Sequence, residues 1–198
     1  IIETIKTFNN AGITVKMITG DYAETALAIA DQVKLSHNGE VLTGKDVLHL
    51  SATALQQKVK AVNIYARMFP EAKLKVIEAL KDEGEIVAMT GDGVNDGPAL
   101  KAAHIGIAMG LRGSEVAKNA ASLILNDDDL SHMTDAVALG RKIYDNLKKA
   151  IQFIVSIHIP IILIVTLPLL LAWKYVNIFS PVHVIFLELI MGPTCSII

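Results

Sequence analysis

The sequence predicts an α/β fold built on a parallel sheet, followed by an α-helical stalk and a transmembrane hairpin. Up to residue 127, short apolar runs alternate with helical patterns, as in parallel sheets that are covered by helices on both faces. From Ile151 to Trp173 the sequence contains no Asp, Glu, Lys or Arg, and about 23 such residues can span a bilayer as one helix. The 198-residue chain is accordingly 52% hydrophobic and only 19% charged.

Local signals define the elements. An amphipathic helix opens the sequence with apolar residues at Ile1, Ile5 and Phe8, and Gly12 stops it. Pro70 favours the first turn of a later helix, because proline lacks the N–H that this turn leaves unpaired. In chain order we predict strand 13–18, helix 23–33, a loop around 37–39, a helix from near Ser51, strand 62–66, helix 70–81, strand 86–89, helix 98–104, strand 105–109, helix 114–121 and strand 122–125.

An acidic, glycine-rich loop directly follows the predicted strand at 86–89. Residues 89–100 read Met-Thr-Gly-Asp-Gly-Val-Asn-Asp-Gly-Pro-Ala-Leu. Asp92 and Asp96 are four residues apart with Asn95 between them, and the glycines permit tight turns. Such oxygen ligands suit a hard cation that keeps several waters, and open α/β sheets bind ligands at the carboxyl ends of strands. The loop therefore predicts a magnesium and phosphate site.

The tripeptide Thr-Gly-Asp occurs twice, at 19–21 and at 90–92, each time after an apolar strand. Either copy alone is consistent with an ordinary turn. Because parallel strands of one sheet end at the same edge, the two copies together predict a shared site. There the threonine hydroxyls and backbone N–H groups would hold phosphate oxygens, and the acid would hold the metal.

Lys73 is the candidate that completes this site. It lies early in the helix that Pro70 begins, where its charge adds to the positive end of the helix dipole. The alternative is a solvated surface lysine. The position of Lys73 just after residues 65–70, Tyr-Ala-Arg-Met-Phe-Pro, favours a role in the magnesium and phosphate site.

Two apolar runs, 151–173 and 178–198, predict the membrane hairpin, with a stalk helix at 128–150. Four cations precede the first run: Arg141, Lys142, Lys148 and Lys149. The positive-inside rule therefore predicts a multi-pass integral membrane protein whose globular part, residues 1–127, is cytoplasmic. The alternative is a buried helical pair in a soluble protein, but the uncharged run is longer than a typical core helix.

Four segments together resemble P-type cation-transporting ATPases, most closely the branch of the calcium and sodium/potassium pumps. They are MITGD at 17–21, YARMFPEAK at 65–73, MTGDGVNDGPAL at 89–100 and IGIAMG at 105–110. The likeness covers essentially the whole chain, and the order GDGVND is highly specific. It implies that residues 1–127 are the later part of a phosphorylation domain, a partial haloacid dehalogenase-like sheet. The stalk and the fifth and sixth membrane helices would follow.

The resemblance implies an ATP-driven, Mg²⁺-dependent cation pump that works through an aspartyl phosphate. Asp92 would ligate Mg²⁺, Asn95 and Asp96 would support the phosphate and metal, and Lys73 would neutralise charge on the transferred phosphoryl group. The other residues carried over bind phosphate or nucleotide: Thr19, Gly20, Asp21, Arg67, Thr90 and Gly91.

The family's phosphorylated Asp-Lys-Thr-Gly motif and its Thr-Gly-Glu loop do not occur in this sequence. The implied partners are therefore an actuator domain, a nucleotide-binding domain and the first four membrane helices of the same polypeptide, besides the transported cation and the lipid bilayer. Both ends of the chain look truncated, and it is expected not to hydrolyse ATP by itself. The alternative is a catalytically inactive, membrane-tethered remnant or regulatory protein. A net charge of −2 predicts no nucleic-acid partner.

Ionisable residues inside a bilayer are functional candidates, so His158 and Glu188 are predicted to line the ion pathway, with Thr166 and Thr194 as weaker candidates. A packed, hydrogen-bonded histidine is the alternative for His158. By the resemblance, both ionisable residues stand where calcium pumps carry asparagine, and Ile161, Met191 and Gly192 replace acidic or polar ligands. The transported ion therefore stays open.

Overall fold

Helices and strands alternate along the computed structural model, which describes residues 1–172, 180, 182–183, 185–186 and 189–190. The helices of the described residues are α1 (Ile2–Asn10), α2 (Ala23–Gln32), α3 (Gly44–His49), α4 (Ala52–Ala61), α5 (Pro70–Asp82), α6 (Gly97–Ala102), α7 (Glu115–Ala120) and α8 (Ser131–Leu170). The strands are β1 (Met17–Ile18), β2 (Val41–Thr43), β3 (Ile64–Ala66), β4 (Ala88–Gly91), β5 (Ile105–Met109) and β6 (Leu123–Leu125). This order confirms the α/β class.

The strands form two parallel three-stranded ladders, ordered β1-β3-β2 and β4-β5-β6. Met17 pairs with Ile64 in the first ladder, and Ala88 pairs with Ile105 in the second. The parallel pairing is confirmed, but the two Thr-Gly-Asp copies do not end one hydrogen-bonded sheet as predicted. The reason is that β1 and β4 are both edge strands, and no described strand pairs with both of them.

A shared hydrophobic core nevertheless connects the ladders. Tyr65 of β3, Met89 of β4 and Ala108 of β5 belong to one cluster of buried side chains. Val76 of α5 and Leu100 of α6 belong to the same cluster and are at most 1% exposed. Burial of these apolar side chains is the main source of stability that the two ladders share.

Strand β2 and helix α3 were not predicted from the sequence. Thr43 and Asp46 form a capping box, in which the Thr43 hydroxyl accepts the Asp46 N–H and the Asp46 carboxylate accepts the Thr43 N–H at 2.9 Å. The spacing Thr-x-x-Asp was the available signal. Hydrogen bonds from the side chain and backbone of Thr43 lower the pKa of the Asp46 carboxyl below its usual value.

Strand β1 is shorter than the predicted strand at 13–18. A strand needs a partner for its backbone groups, and the β3 ladder begins only at Ile64. Lys16, just before β1, instead donates its ammonium to the Val62 carbonyl at 2.7 Å and the Asn63 side chain at 2.8 Å. Burial lowers the pKa of this lysine. The start of β1 therefore follows from where its partner β3 begins.

The long helix α8 extends over 40 residues and contains Pro160 and Pro168. The predicted stalk and first span therefore form one continuous helix in the structure. Its most apolar 18-residue window has a mean hydropathy of 2.5 and is almost wholly exposed, and among the described residues it is the one helix long and apolar enough to cross a membrane. The chain divides into two units, Ile1–Val137 and Ala138–Ile198. The predicted span at 178–198 lies largely outside the described residues.

Candidate functional site

Lys73 and Asp96 form the contact on which the site is built. Pro70 starts α5 directly after β3, which puts Lys73 in the first turn of that helix. Its Nζ lies 2.6 Å from Oδ1 of Asp96, and the two side chains are only 16% and 10% exposed. Lys73 is therefore a paired, largely buried cation and not a solvated surface lysine. A charge-assisted hydrogen bond at this depth fixes α5 against the acidic loop.

The acidic loop turns back on itself after β4. Val94–Asp96 forms a 3₁₀ turn, and the other Asp96 oxygen, Oδ2, accepts the N–H of Gly93 at 3.1 Å. A Cβ at Gly91 would lie 2.7 Å from the Cβ of Asp96, so only glycine lets the loop fold this closely. Thr90 and Gly91 belong to β4 itself, because the strand ends two residues later than predicted.

Asp92 and Asn95 have exposed side chains, whereas Asp96 is buried. The backbone carbonyl of Asp92 accepts the N–H of Ser114 at 2.8 Å, which fixes the position from which its carboxylate projects. No group of three or more His, Cys, Asp or Glu residues is placed to hold a metal within the part of the chain that the structure describes. Mg²⁺ typically takes one or two carboxylates and completes its shell with waters and substrate phosphate, so an exposed Asp92 fits that ion.

The first Thr-Gly-Asp copy forms a closed turn after β1. The Thr19 hydroxyl donates to the Asp21 carboxylate at 3.0 Å and accepts the Asp21 N–H at 3.1 Å. Backbone bonds attach the turn to the end of β3, where Arg67 N–H donates to the Asp21 carbonyl at 2.8 Å. Nothing lies within 4 Å of a Cβ built on Gly20, so this side of the turn is open.

Arg67 carries its side chain over the ring of Tyr22, with 4.4 Å between the guanidinium carbon and the ring centroid. Its backbone has a left-handed φ of 51°. Sequence reasoning selected Arg67 but missed Tyr22, for which the available signal was an aromatic residue directly after Thr-Gly-Asp.

The predicted site residues fall into two clusters. The first comprises Thr19, Gly20, Asp21 and Arg67 at the end of the β1–β3 pair. The second comprises Lys73, Thr90, Gly91, Asp92, Asn95 and Asp96 around the end of β4. No hydrogen bond or ion pair among the described residues joins the clusters directly. The chain itself connects them, because Lys73 follows Arg67 by six residues.

Asp128 is a further residue that the sequence analysis missed. Its carboxylate accepts the N–H groups of Leu111 at 3.0 Å and Arg112 at 3.1 Å, and pairs with Arg112 Nε at 3.0 Å. Desolvation raises the pKa of Asp128, but these hydrogen bonds outweigh it and lower that pKa overall. The 111–114 loop is thus fixed to Asp92 through Ser114 and to Asp128 just before α8.

The ion-pathway candidates are only partly described. In α8, Nδ1 of His158 lies 2.8 Å from the Ile154 carbonyl oxygen, and the Thr166 hydroxyl donates to the Ile162 carbonyl at 2.7 Å. Glu188 and Thr194 lie outside the described residues. The pathway assignment stays a prediction.

Comparison with known proteins identifies the family. The sequence profile of the haloacid dehalogenase-like hydrolases matches residues 1–104, just over half of the chain. The chain belongs to this family. The match includes both Thr-Gly-Asp copies, Lys73 and the acidic loop of this haloacid dehalogenase-like chain.

Its curated relatives confirm the resemblance to P-type cation-transporting ATPases. Calcium-transporting ATPase 1 of Bacillus cereus is 41% identical over 189 residues, which are 95% of this chain and 21% of the relative. Probable cation-transporting ATPase F of Mycobacterium bovis is 51% identical over 150 residues, covering 73% of this chain and 17% of the relative. The haloacid dehalogenase-like chain thus spans about a fifth of the length of these relatives.

A solved structure agrees with this assignment. The crystal structure of a zinc-transporting PIB-type ATPase in its E2·Pi state is 29% identical and gives a TM-score of 0.64 over 84% of this chain and 23% of that one.

Proposed function

We propose that this chain is the segment of an ATP-driven cation pump that supplies the magnesium and phosphate side of the phosphorylation site, the stalk and part of the ion pathway. The observation that carries the proposal is the Lys73–Asp96 pair, because it places a lysine beside the acidic loop that follows β4. The identities of 39 to 51% to cation-transporting ATPases support the same assignment.

In the proposed site Asp92 holds Mg²⁺, and Asn95 and Asp96 support the phosphate and the metal shell. When bound, Mg²⁺ would neutralise charge on the phosphate oxygens. The exposed carboxylate of Asp92 is accessible to such an ion. Thr90 and Gly91 contribute the hydroxyl and backbone donors at the end of β4.

Lys73 stabilises the transferred phosphoryl group in this proposal. Phosphoryl transfer depends mainly on positioning and charge neutralisation. The lysine is held by Asp96 at 2.6 Å, so its ammonium is oriented before any substrate arrives.

The phosphorylated aspartate is proposed to come from another strand of the same polypeptide. β1 and β4 are edge strands within the described residues. The first Thr-Gly-Asp follows β1, and the second begins inside β4 and ends just after it. Edge strands leave a row of N–H and C=O groups available for pairing. A strand that paired with both β1 and β4 would unite the ladders, and its carboxyl end would lie beside Thr19 and Thr90. An aspartate at that end would be placed to act as the nucleophile.

Thr19, Gly20, Asp21 and Arg67 are proposed to bind phosphate and nucleotide. The turn at 19–21 and the segment at 67–68 are fixed together by backbone hydrogen bonds of 2.8 and 3.0 Å. The exposed Arg67 guanidinium offers donors to nucleotide oxygens.

The helix α8 is proposed to couple phosphorylation to transport. It continues without a break from Ser131 to Leu170, so a tilt at its start would reach residues in the bilayer. Insertion of a flexible glycine segment near Asp145 should uncouple ATP use from transport, and unchanged coupling would exclude this role. We further propose a multi-pass membrane topology with the globular part in the cytoplasm, and His158 and Glu188 in the ion pathway.

The alternative is an inactive, membrane-tethered remnant that binds Mg²⁺ or phosphate. The native gene distinguishes the two: an upstream Asp-Lys-Thr-Gly followed by a nucleotide-binding domain supports the pump, and a gene without them supports the remnant.

The decisive experiment measures acyl phosphate formed from ATP by the full-length polypeptide that carries this segment, with Ca²⁺, Mn²⁺, Zn²⁺, Na⁺ or K⁺ added in turn to Mg²⁺. We expect one cation to change the phosphoenzyme level. Asp92→Asn should weaken the Mg²⁺ dependence and Lys73→Ala should slow the step, whereas Asp82→Asn and Lys45→Ala, at exposed helix positions, should do neither. A phosphoenzyme level that responds to no cation would contradict the pump.

A further inference from the structure

Arg67 has a strained backbone that its surroundings enforce. A φ of 51° is sparsely populated by residues other than glycine, and such strain persists where neighbouring contacts over-determine it. Hydrogen bonds from Arg67 and Met68 to the 19–21 turn supply two of these contacts. Gly44 lies close to the Arg67 carbonyl, since a Cβ built on it would be only 2.6 Å from that oxygen. These contacts restrict the backbone at Arg67.

The Arg67 side chain rests on an aromatic face. The guanidinium carbon is 4.4 Å from the Tyr22 ring centroid, well within the range of a cation–π contact. The N–H donors of arginine lie in the plane of the guanidinium, so a ring on one face leaves them directed outward. Among the described residues no carboxylate lies within ion-pair distance of Arg67.

Tyr22 has no core function that would explain it. The residue is 63% exposed and belongs to neither cluster of buried hydrophobic side chains. It is the N-cap residue of α2 and directly follows Asp21, so its ring is attached to the same turn that binds the Arg67 backbone. The 19–21 turn thus joins the backbone that carries the ring to the backbone that carries the guanidinium.

We propose that Tyr22 is a positioning residue that holds the Arg67 guanidinium toward a phosphate or ribose oxygen of an adenine nucleotide. This inference rests on the proposed nucleotide role of Arg67. Without the ring, the long arginine side chain would sample many rotamers and lose part of its orientation before the nucleotide binds. Tyr22 contacts arginine and not the reacting atoms, so it should affect nucleotide affinity and leave the chemical step unchanged.

The test compares Tyr22→Leu with Tyr22→Phe in the full-length polypeptide, by measuring kcat and KM for ATP. Loss of an exposed cation–π contact should raise KM about two- to fivefold and leave kcat unchanged. Tyr22→Phe keeps an aromatic face and should keep the original KM. Ile29→Ala, at a partly exposed site on the same helix, is the matched control and should change neither constant.

A double-mutant cycle separates this inference from the proposed function on which it rests. If Tyr22 acts through Arg67, Tyr22→Leu should add nothing to the KM of Arg67→Met. The Tyr22 role is overturned if Arg67→Met raises KM but Tyr22→Leu does not, if phenylalanine is as harmful as leucine, or if the two effects multiply. An unchanged KM in Arg67→Met contradicts the nucleotide role of Arg67 itself, and the Tyr22 role with it.

Discussion

Removal of the Lys73 side chain should destabilise the acidic loop, because it leaves Asp96 buried without its cation. The two side chains are 16% and 10% exposed, and Nζ lies 2.6 Å from Oδ1. Breaking a buried pair at one partner typically costs about 3–5 kcal/mol. Asp96 keeps the Gly93 N–H and some solvent contact, so we expect about 2–3 kcal/mol for Lys73→Ala, or roughly a 30- to 150-fold change in an opening equilibrium.

Native-state hydrogen exchange of the whole chain in detergent, read by mass spectrometry, measures this effect locally. Amides of residues 93–102 should exchange faster in Lys73→Ala, while the exposed Lys45→Ala control should match the parent. The double variant Lys73→Ala/Asp96→Asn removes the orphaned charge and should recover part of the protection. Protection that falls less than about threefold in Lys73→Ala, or a double variant no better than the single one, would refute the argument from an unpaired buried carboxylate.

Three further predictions concern positions outside this pair. Gly106→Ala would put a Cβ 2.4 Å from the Leu100 carbonyl oxygen, so it should lower the free energy of unfolding in urea by about 1–3 kcal/mol. Gly140→Ala is the control: nothing lies within 4 Å of its Cβ, so the free energy of unfolding should stay the same or rise. Asp128→Ala should speed amide exchange at Leu111 and Arg112, and unchanged exchange there would contradict its anchoring role. The pKa of Asp46 is lower in the folded state than its usual value near 3.8, so Asp46 should stabilise α3 fully above that value. This stabilisation should be lost as pH falls through the lower folded pKa, and the amides of residues 44–49 should then exchange faster. In Asp46→Asn, exchange of these amides should not accelerate in acid.

The elements that sequence alone predicted are those with local signals. Pro70 and the apolar spacing behind it fix α5, and the alternation of helices and strands indicates parallel pairing. Strand length and sheet continuity depend on partners elsewhere in the chain. This explains why β1 covers only Met17–Ile18 of the predicted strand at 13–18, and why the strands form two ladders where one sheet was predicted.

The site shows the same division. The motifs identified Lys73 and Asp96, whose contact the structure contains. The roles of Tyr22 and Asp128 were not predicted, because the cation–π contact and the loop hydrogen bonds depend on backbone geometry. Arg67 and Asp128 both have a positive φ, which cannot be read from composition or residue spacing. The motif predicted the acidic loop, but it did not predict that the 3₁₀ turn buries Asp96 while Asp92 and Asn95 stay exposed.

β1 and β4 are two of the four edge strands among the described residues, and they also bear on the order of folding. The strands of each ladder all lie within the described residues, so each ladder can form once this part of the chain has been synthesised. If the proposed joining strand lies far from both ladders in the full-length polypeptide, it must first close a long loop, and such non-local pairing is slow. During the interval before that strand pairs, the open edges of β1 and β4 invite pairing with other chains. Supplying the joining strand as a separate peptide should shorten that interval.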